Sequence, residues 1–148
     1  MKKIKQITAL ETISVRHPVL RAEKPIASCH FDGDTLETTL HFGMYDSDDL
    51  LGVISLFDAK NDSFTTGKQF QIRGMAVLKQ HQKLGLGKML IIHVEKHCYR
   101  QKPNLIWFNA RMEALDFYTK MGYLTKGLPF EIKGVGKHII MFKAINDE

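Results

Sequence analysis

No stretch of this chain stays apolar for the roughly 20 residues a membrane helix needs, so a membrane-spanning protein is not expected. The basic start, Met1-Lys2-Lys3-Ile4-Lys5, is followed by neither an apolar signal core nor a small-residue cleavage site, and a cytoplasmic location is expected. Cysteine is scarce, with Cys29 and Cys98 alone in 148 residues. The pair has no metal-ligand spacing, and a reducing cytosol argues against a bridge, so both should be buried, inert thiols. Repeats, low-complexity segments and an interdomain linker are absent, which leaves one domain over residues 1–148. The chain also lacks the arginine-rich runs and basic–aromatic interleaving of a nucleic-acid module. A small anionic ligand explains its net charge of +5 as well as DNA or RNA would, and no nucleic-acid partner is expected.

Hydrophobic content of 44% and charged content of 25% are those of an ordinary globular domain able to bury a core. Residues 70–99 organise it. An alternating apolar strand, 70–77, runs into a short basic loop, turns through Gly85-Leu86-Gly87, and continues as a helical run over 88–99. A strand ending in a glycine-bearing loop at a helix start is an anion site. The first helical N–H groups have no internal partner, the helix dipole favours negative charge there, and glycine lets a phosphate approach.

Before this unit, residues 3–7 can form a strand. Thr8 and Glu11 fit a capping box that opens a helix whose face is Leu10, Ile13, Ser14 and His17 and which Pro18 limits. Val19-Leu20-Arg21 reads as a further short element ended by Pro25. Residues 36–45 alternate through Leu36, Leu40, Phe42 and Met44, and with 50–57 they read as an antiparallel hairpin around an acidic turn, 46–49. After a break over 100–104, residues 105–110 form a continuous apolar strand, the pattern of burial on both faces. A helix around Ala114, Leu115, Phe117, Tyr118 and Met121 follows, and Gly122 is placed to end it in the left-handed conformation. A strand can resume at Tyr123-Leu124, and the last pair covers 130–132 and 138–142. The order gives an α/β domain of the α+β type, a mixed and mostly antiparallel sheet flanked by helices.

The glycine loop is not a Walker A loop, because Gly87-Lys88 is followed by Met89 rather than the Ser or Thr that binds magnesium. Nor is it a dinucleotide fingerprint, since Leu90 stands where a third glycine is needed. What does match is Gln82-Lys83-Leu84-Gly85-Leu86-Gly87, which resembles the pyrophosphate loop of the GNAT superfamily of acetyl-CoA-dependent N-acetyltransferases. Residues 114–123, Ala-Leu-Asp-Phe-Tyr-Thr-Lys-Met-Gly-Tyr, are similar to that family's Ala-x-x-Phe-Tyr-x-x-x-Gly-Phe/Tyr signature. Over residues 36–142 the element order matches as well.

The resemblance implies a splayed strand pair at the cofactor site, with acetyl-CoA as co-substrate and no metal. Met75, Ala76 and Val77 would hold the pantetheine arm and acetyl carbonyl. Gln82, Lys83, Leu84, Gly85, Leu86, Gly87 and Lys88 would cradle the pyrophosphate, and Asn109 would meet the cofactor arm. Lys79 is a further basic residue beside the loop. Tyr118 would give a proton or hydrogen bond to the departing thiolate, against the plainer reading of a core aromatic. The partners implied are acetyl-CoA and a small primary amine, with no nucleic acid or membrane, and dimers through the C-terminal strands are a family-level expectation.

Many family members carry a glutamate on the fourth strand, but residues 70–77 hold no carboxylate, and Arg73 occupies that neighbourhood. The candidates for proton acceptor are then Glu131, His138, His41 and Glu37. Residues 130–138 resemble a C-terminal segment in which Glu and His lie on adjoining strands facing the acceptor, and histidine as a residue type suits proton transfer. The plainer readings are a surface pair of Glu131 with Lys133 or Lys137, and a strand-end His138. His93 and His97, four apart, read as helix-face residues rather than metal ligands. The acidic residues at 46–49 and Glu131 would favour a cationic amine or polyamine. A non-catalytic acyl-CoA sensor is the alternative to the enzyme.

Overall fold

The computed structural model describes residues 2–103 and 105–145. Met1 of the basic start and Asn104 of the expected break lie outside them. Seven strands, β1 (Lys2–Ile7), β2 (Leu40–Asp46), β3 (Asp49–Asp58), β4 (Gln69–Val77), β5 (Leu105–Arg111), β6 (Leu124–Ile132) and β7 (Gly136–Ala144), hydrogen-bond in the order β1-β2-β3-β4-β5-β7-β6. The helices are α1 (Ile13–Leu20), α2 (Leu86–Gln101) and α3 (Leu115–Lys120). Antiparallel ladders join β1 to β2, β2 to β3, β5 to β7 and β6 to β7, whereas β4 and β5 are parallel. The parallel ladder has three residue pairs, Gln69–Gln71 against Leu105–Trp107, the short pairing expected of splayed strands. The mixed, mostly antiparallel sheet is therefore as the sequence implies.

The chain packs as two compact units, one of the described residues up to Phe57 with Ile72–His97, the other of Asp58–Gln71 with the described residues from Cys98 onward. In the first, the capping box forms as expected. The Thr8 N–H donates to Glu11 Oε1 at 2.9 Å and the Glu11 N–H donates to Thr8 Oγ1 at 3.2 Å. The helix it introduces departs from expectation. Pro18 lies inside α1, which continues through Val19 and Leu20. Both of those side chains pack against the core of Ile7, Val15, Val53 and Ala76, and this burial offsets the backbone bond that proline removes. Nor is the buried face Leu10, Ile13, Ser14 and His17. Leu10 is 72% exposed, while Thr12, Val15 and Arg16 are fully buried. The first hairpin strand begins at Leu40 rather than Leu36, because residues 33–39 are tied into turns: Gly33 O accepts from Leu36 N–H at 3.2 Å and from Thr39 Oγ1 at 2.6 Å.

In the second unit, β5 buries Leu105, Ile106, Trp107, Phe108 and Ala110, the two-faced burial its apolar run implies. The Trp107 indole N–H donates to Ala59 O at 2.9 Å. Gly122 ends the α3 segment at φ +96°, as expected. One strand, β6, replaces the two short pieces read around 123–124 and 130–132. Its ladder to β7 shifts between Lys126 and Phe130, where Gly127 and Pro129 interrupt the pattern. It lies at the end of the sheet order, where a strand tolerates proline. Cys29 and Cys98 are both buried, and neither is in a disulfide.

Candidate active site

The residues read as the cofactor loop are continuous with β4. Ala76 is buried in the core, with Met75 and Val77 half-buried beside it. The Gln82 side-chain amide donates to Val77 O at 2.9 Å and ties the loop back to the strand end. Lys83 and Gly85 both take positive φ, +66° and +82°. A Cβ built on Gly85 meets nothing within 4 Å, so conformation and access, not crowding, call for glycine there. Leu86 anchors the turn in the core at 3% exposure, while Lys83, Leu84 and Lys88 face solvent and Gly87 is half-buried. The helix bond from Met89 N–H to Gly85 O, 3.1 Å, marks the start of α2. The N–H groups of Leu86, Gly87 and Lys88 precede it and have no carbonyl one turn back within the helix. This sixteen-residue helix therefore presents donors and its positive dipole end beside an open glycine, which fits an anionic phosphate group. A cleft of about 240 Å³ lies nearby, lined by Pro18, Val19, Leu78, Lys79, Gln80 and Gln82.

The same unit holds a polar network that the sequence reading missed. Arg16 is wholly buried and donates to both carboxylate oxygens of Asp34 (2.6 and 3.1 Å), to Ser55 Oγ (3.0 Å) and to Cys29 O (2.9 Å). Burial would raise the Asp34 pKa, but hydrogen bonds from Arg16 and the Phe31 N–H outweigh it and hold the carboxyl below its ordinary value. His41, a candidate base, closes the network with both ring nitrogens engaged, one on Ser55 Oγ at 2.6 Å and the other on Asp34 O at 2.9 Å. It is a structural residue. Glu37 is exposed. His93 and His97 set their rings 4.9 and 5.9 Å from Phe42, as expected of helix-face residues. Among the described residues no group of three or more His, Cys, Asp or Glu is placed to hold a metal.

The second unit carries the remaining candidates. Asn109 is exposed on β5. Tyr118 packs in an aromatic group, its ring centroid 4.5 Å from Phe108, 5.1 Å from Phe117 and 6.3 Å from Tyr123. Burial pushes its pKa up to about 12, against the pull of Arg111, so the phenol stays protonated and able to donate throughout the neutral range. Arg111 also stands opposite His138 in the β5–β7 ladder. His138 is buried, stacked against Phe130 at 6.2 Å, and its Nδ1 lies 2.8 Å from Gly136 O. A carbonyl only accepts, so Nδ1 carries the proton, and in the neutral ring Nε2 holds the lone pair. Glu131 does lie on the adjoining strand, but it stands opposite Lys137 while His138 stands opposite Phe130. Neighbours on a strand alternate faces, so Glu131 and His138 lie on opposite faces of the ladder.

Comparison with known proteins agrees with this fold. The family model of the GNAT acetyltransferase domain matches residues 26–144. The uncharacterized N-acetyltransferase YitI of Bacillus subtilis (strain 168) is 30% identical over 145 residues, covering 98% of this chain and 97% of that protein. Among solved structures, a putative N-acetyltransferase from Lactobacillus plantarum superposes with TM-score 0.80 at 18% identity, covering 98% of this chain and 99% of the other. An aminoglycoside 6'-N-acetyltransferase complexed with coenzyme A superposes with TM-score 0.77 at 14% identity, covering 99% and 98%. The chain belongs to the GNAT family of N-acetyltransferases.

Proposed function

We propose that this enzyme transfers the acetyl group of acetyl-CoA to the primary amine of a small molecule, by direct attack and without an acetyl-enzyme. The glycine loop carries the reading: Gly85 at positive φ, beside the first N–H groups of α2, which lack a carbonyl one turn back within the helix, suits the CoA pyrophosphate. Gln82, Lys83, Leu84, Gly85, Leu86, Gly87 and Lys88 bind that group, Met75, Ala76 and Val77 hold the acyl arm, and Asn109 contacts it. The amine nitrogen attacks the thioester carbonyl as a free base, since an ammonium has no lone pair. A backbone N–H of β4 donates to the developing oxyanion. The C–S bond then breaks, the amide forms, and the thiolate receives a proton from Tyr118. His138 takes the proton from the amine through Nε2. Glu131, opposite Lys137, serves as a surface charge partner. The buried Cys29 and Cys98 are unsuited to act as nucleophiles.

The test is acetyl-CoA-dependent thiol release with a panel of amines. Turnover is expected in the wild type and about a hundredfold loss in kcat in Tyr118→Phe, with CoA affinity unchanged. The absence of a carboxylate on β4 is what a non-catalytic acyl-CoA sensor would rest on. Binding of acetyl-CoA without turnover of any amine would favour that reading, and no binding at all would end both.

A further inference from the structure

The residue at the strand position where a base was sought is a cation, and it is not alone. Three guanidinium groups surround the Phe31 ring: Arg16 at 3.9 Å from its centroid, Arg73 at 5.0 Å and Arg21 at 5.8 Å. Arg73 also lies 5.0 Å over Phe57. The charge of Arg16 is spent on Asp34. Arg73 and Arg21 are half-buried, and among the described residues neither has a carboxylate within 4.0 Å. Their hydrogen bonds go to main-chain carbonyls at long range, Arg73 to Asp32 O at 3.4 Å and Arg21 to Leu20 O at 3.3 Å.

We propose that Arg73 and Arg21 form an anion-recognition pocket beside β4, and that the amine substrate carries an anionic group, a carboxylate or a phosphate ester. The proposal rests on the acetyl-transfer reading for the identity of the ligand as acceptor. Three observations carry it.

The first is an excess of donors. Arg16 Nε is a fully buried polar atom without a hydrogen-bond partner, and it faces β4. A Cβ on Gly74 would stand 3.2 Å from it and 2.9 Å from Phe31. The second is cost. Burial lowers the Arg73 pKa, the charges of Arg16 and Arg21 push the same way, and Asp34 and the exposed Asp32 oppose them. A partly desolvated guanidinium held between two aromatic rings gains from their faces, yet with no carboxylate within 4.0 Å it would gain further from a bound anion. Its planar fork matches a carboxylate or phosphate in two parallel bonds. The third is placement. Arg73 lies two residues before Met75, about 7 Å along a strand, so an acceptor held by Arg73 would have its amine within reach of the segment assigned to the acyl arm. A cationic polyamine, which the acidic turn at 46–49 suggested, would meet these arginines with repulsion.

Matched pairs of amines test this directly: tyrosine against tyramine, lysine against cadaverine, and phosphoethanolamine against ethanolamine. The anionic member of at least one pair is expected to have a kcat/KM at least tenfold higher, and which pair shows it separates carboxylate from phosphate. Arg73→Gln should erase the preference with the affinity for acetyl-CoA within twofold of wild type. Arg73→Lys should keep part of it, and Arg21→Gln should weaken it, which preserves the test if one variant fails to fold. Equal or reversed preference in every pair, or a preference that survives in both glutamine variants, overturns the proposal. If no amine is acetylated, the acetyl-transfer reading fails by itself. Calorimetry with N-acetyltyrosine and N-acetyltyramine then decides the anion pocket: tighter binding of the acid, lost in Arg73→Gln, supports it, and equal binding overturns it.

Discussion

Removing the Asp34 carboxylate should unsettle the arginine cluster from its base. In Asp34→Ala the wholly buried Arg16 guanidinium loses both carboxylate bonds, at 2.6 and 3.1 Å, and the Phe31 N–H loses its acceptor at 2.9 Å. Ser55 Oγ and Cys29 O remain as partners, but neither carries charge. Leaving one member of a buried ion pair without the other costs about 3–5 kcal/mol. For a chain of 148 residues each kcal/mol shifts the melting temperature by about 2–4 °C, so a fall of about 8–16 °C is expected for a loss of about 4 kcal/mol. Urea and thermal unfolding followed by far-ultraviolet circular dichroism measure it. Asp34→Asn should behave similarly, and the paired change Arg16→Met with Asp34→Leu should cost less than either single truncation, because no orphaned charge remains. The pH dependence has a definite sign. The folded pKa of Asp34 is depressed, so its contribution is present above the unfolded value of about 3.9 and is lost as pH falls through the folded value. The gap between wild type and Asp34→Asn should hold from neutral pH down to about 4 and close below it. A single variant within 1 kcal/mol of wild type, or a double variant costing the sum of the singles, would refute the reasoning.

Three further outcomes follow from the geometry. Because the Tyr118 pKa is raised to about 12, its neutral donor form persists, and kcat for acetyl transfer should show no loss from tyrosine ionisation up to about pH 10.5; a falling limb near pH 10 in the wild type, absent in Tyr118→Phe, would count against it. Gly85→Ala, at φ +82° with open space around the Cβ, should cost only about 1 kcal/mol in unfolding yet weaken CoA binding at least tenfold by calorimetry, and equal affinity would remove the loop from the cofactor site. Gly74→Ala combines φ +64° with a Cβ 2.9 Å from Phe31, and should lower stability by roughly 2–4 kcal/mol in thermal unfolding, with no loss at all contradicting the close approach.

Local signals in the sequence survive folding where their cause is local. Thr8 and Glu11 make their reciprocal bonds across three residues, and Gly122 takes a left-handed φ where a helix must stop, whatever packs around them. The strand, glycine loop and helix over residues 69–101 were legible for the same reason. Where partners are distant, the same chain misleads. Arg16 looks like a surface residue on an amphipathic helix, yet it is buried by Asp34 and Ser55, which lie 18 and 39 residues away. The helix that carries it was expected to stop at Pro18, and it continues because Val19 and Leu20 reach a core assembled from β1, β3 and β4. Gly127 and Pro129 disguised β6 because an edge strand tolerates residues that a central strand would reject.

The proton acceptor shows most clearly why a residue's type does not give its role. His41 and His138 are alike in that each lies within a strand and both are buried at 4% exposure. They differ in what their nitrogens meet. His41 has one nitrogen on Ser55 Oγ and the other on Asp34 O, so its lone pair is consumed in holding the Arg16 network together. His138 has Nδ1 fixed by Gly136 O, which leaves the Nε2 lone pair as the one it can offer a proton. That distinction depends on the Ser55 hydroxyl, which reaches His41 from 14 residues away and which no local pattern around either histidine shows. It also gives the two histidine substitutions opposite signatures. His41→Ala should cost stability in thermal unfolding through the loosened Ser55–Arg16–Asp34 contacts, and His138→Ala should leave melting less affected while lowering kcat in the thiol-release assay.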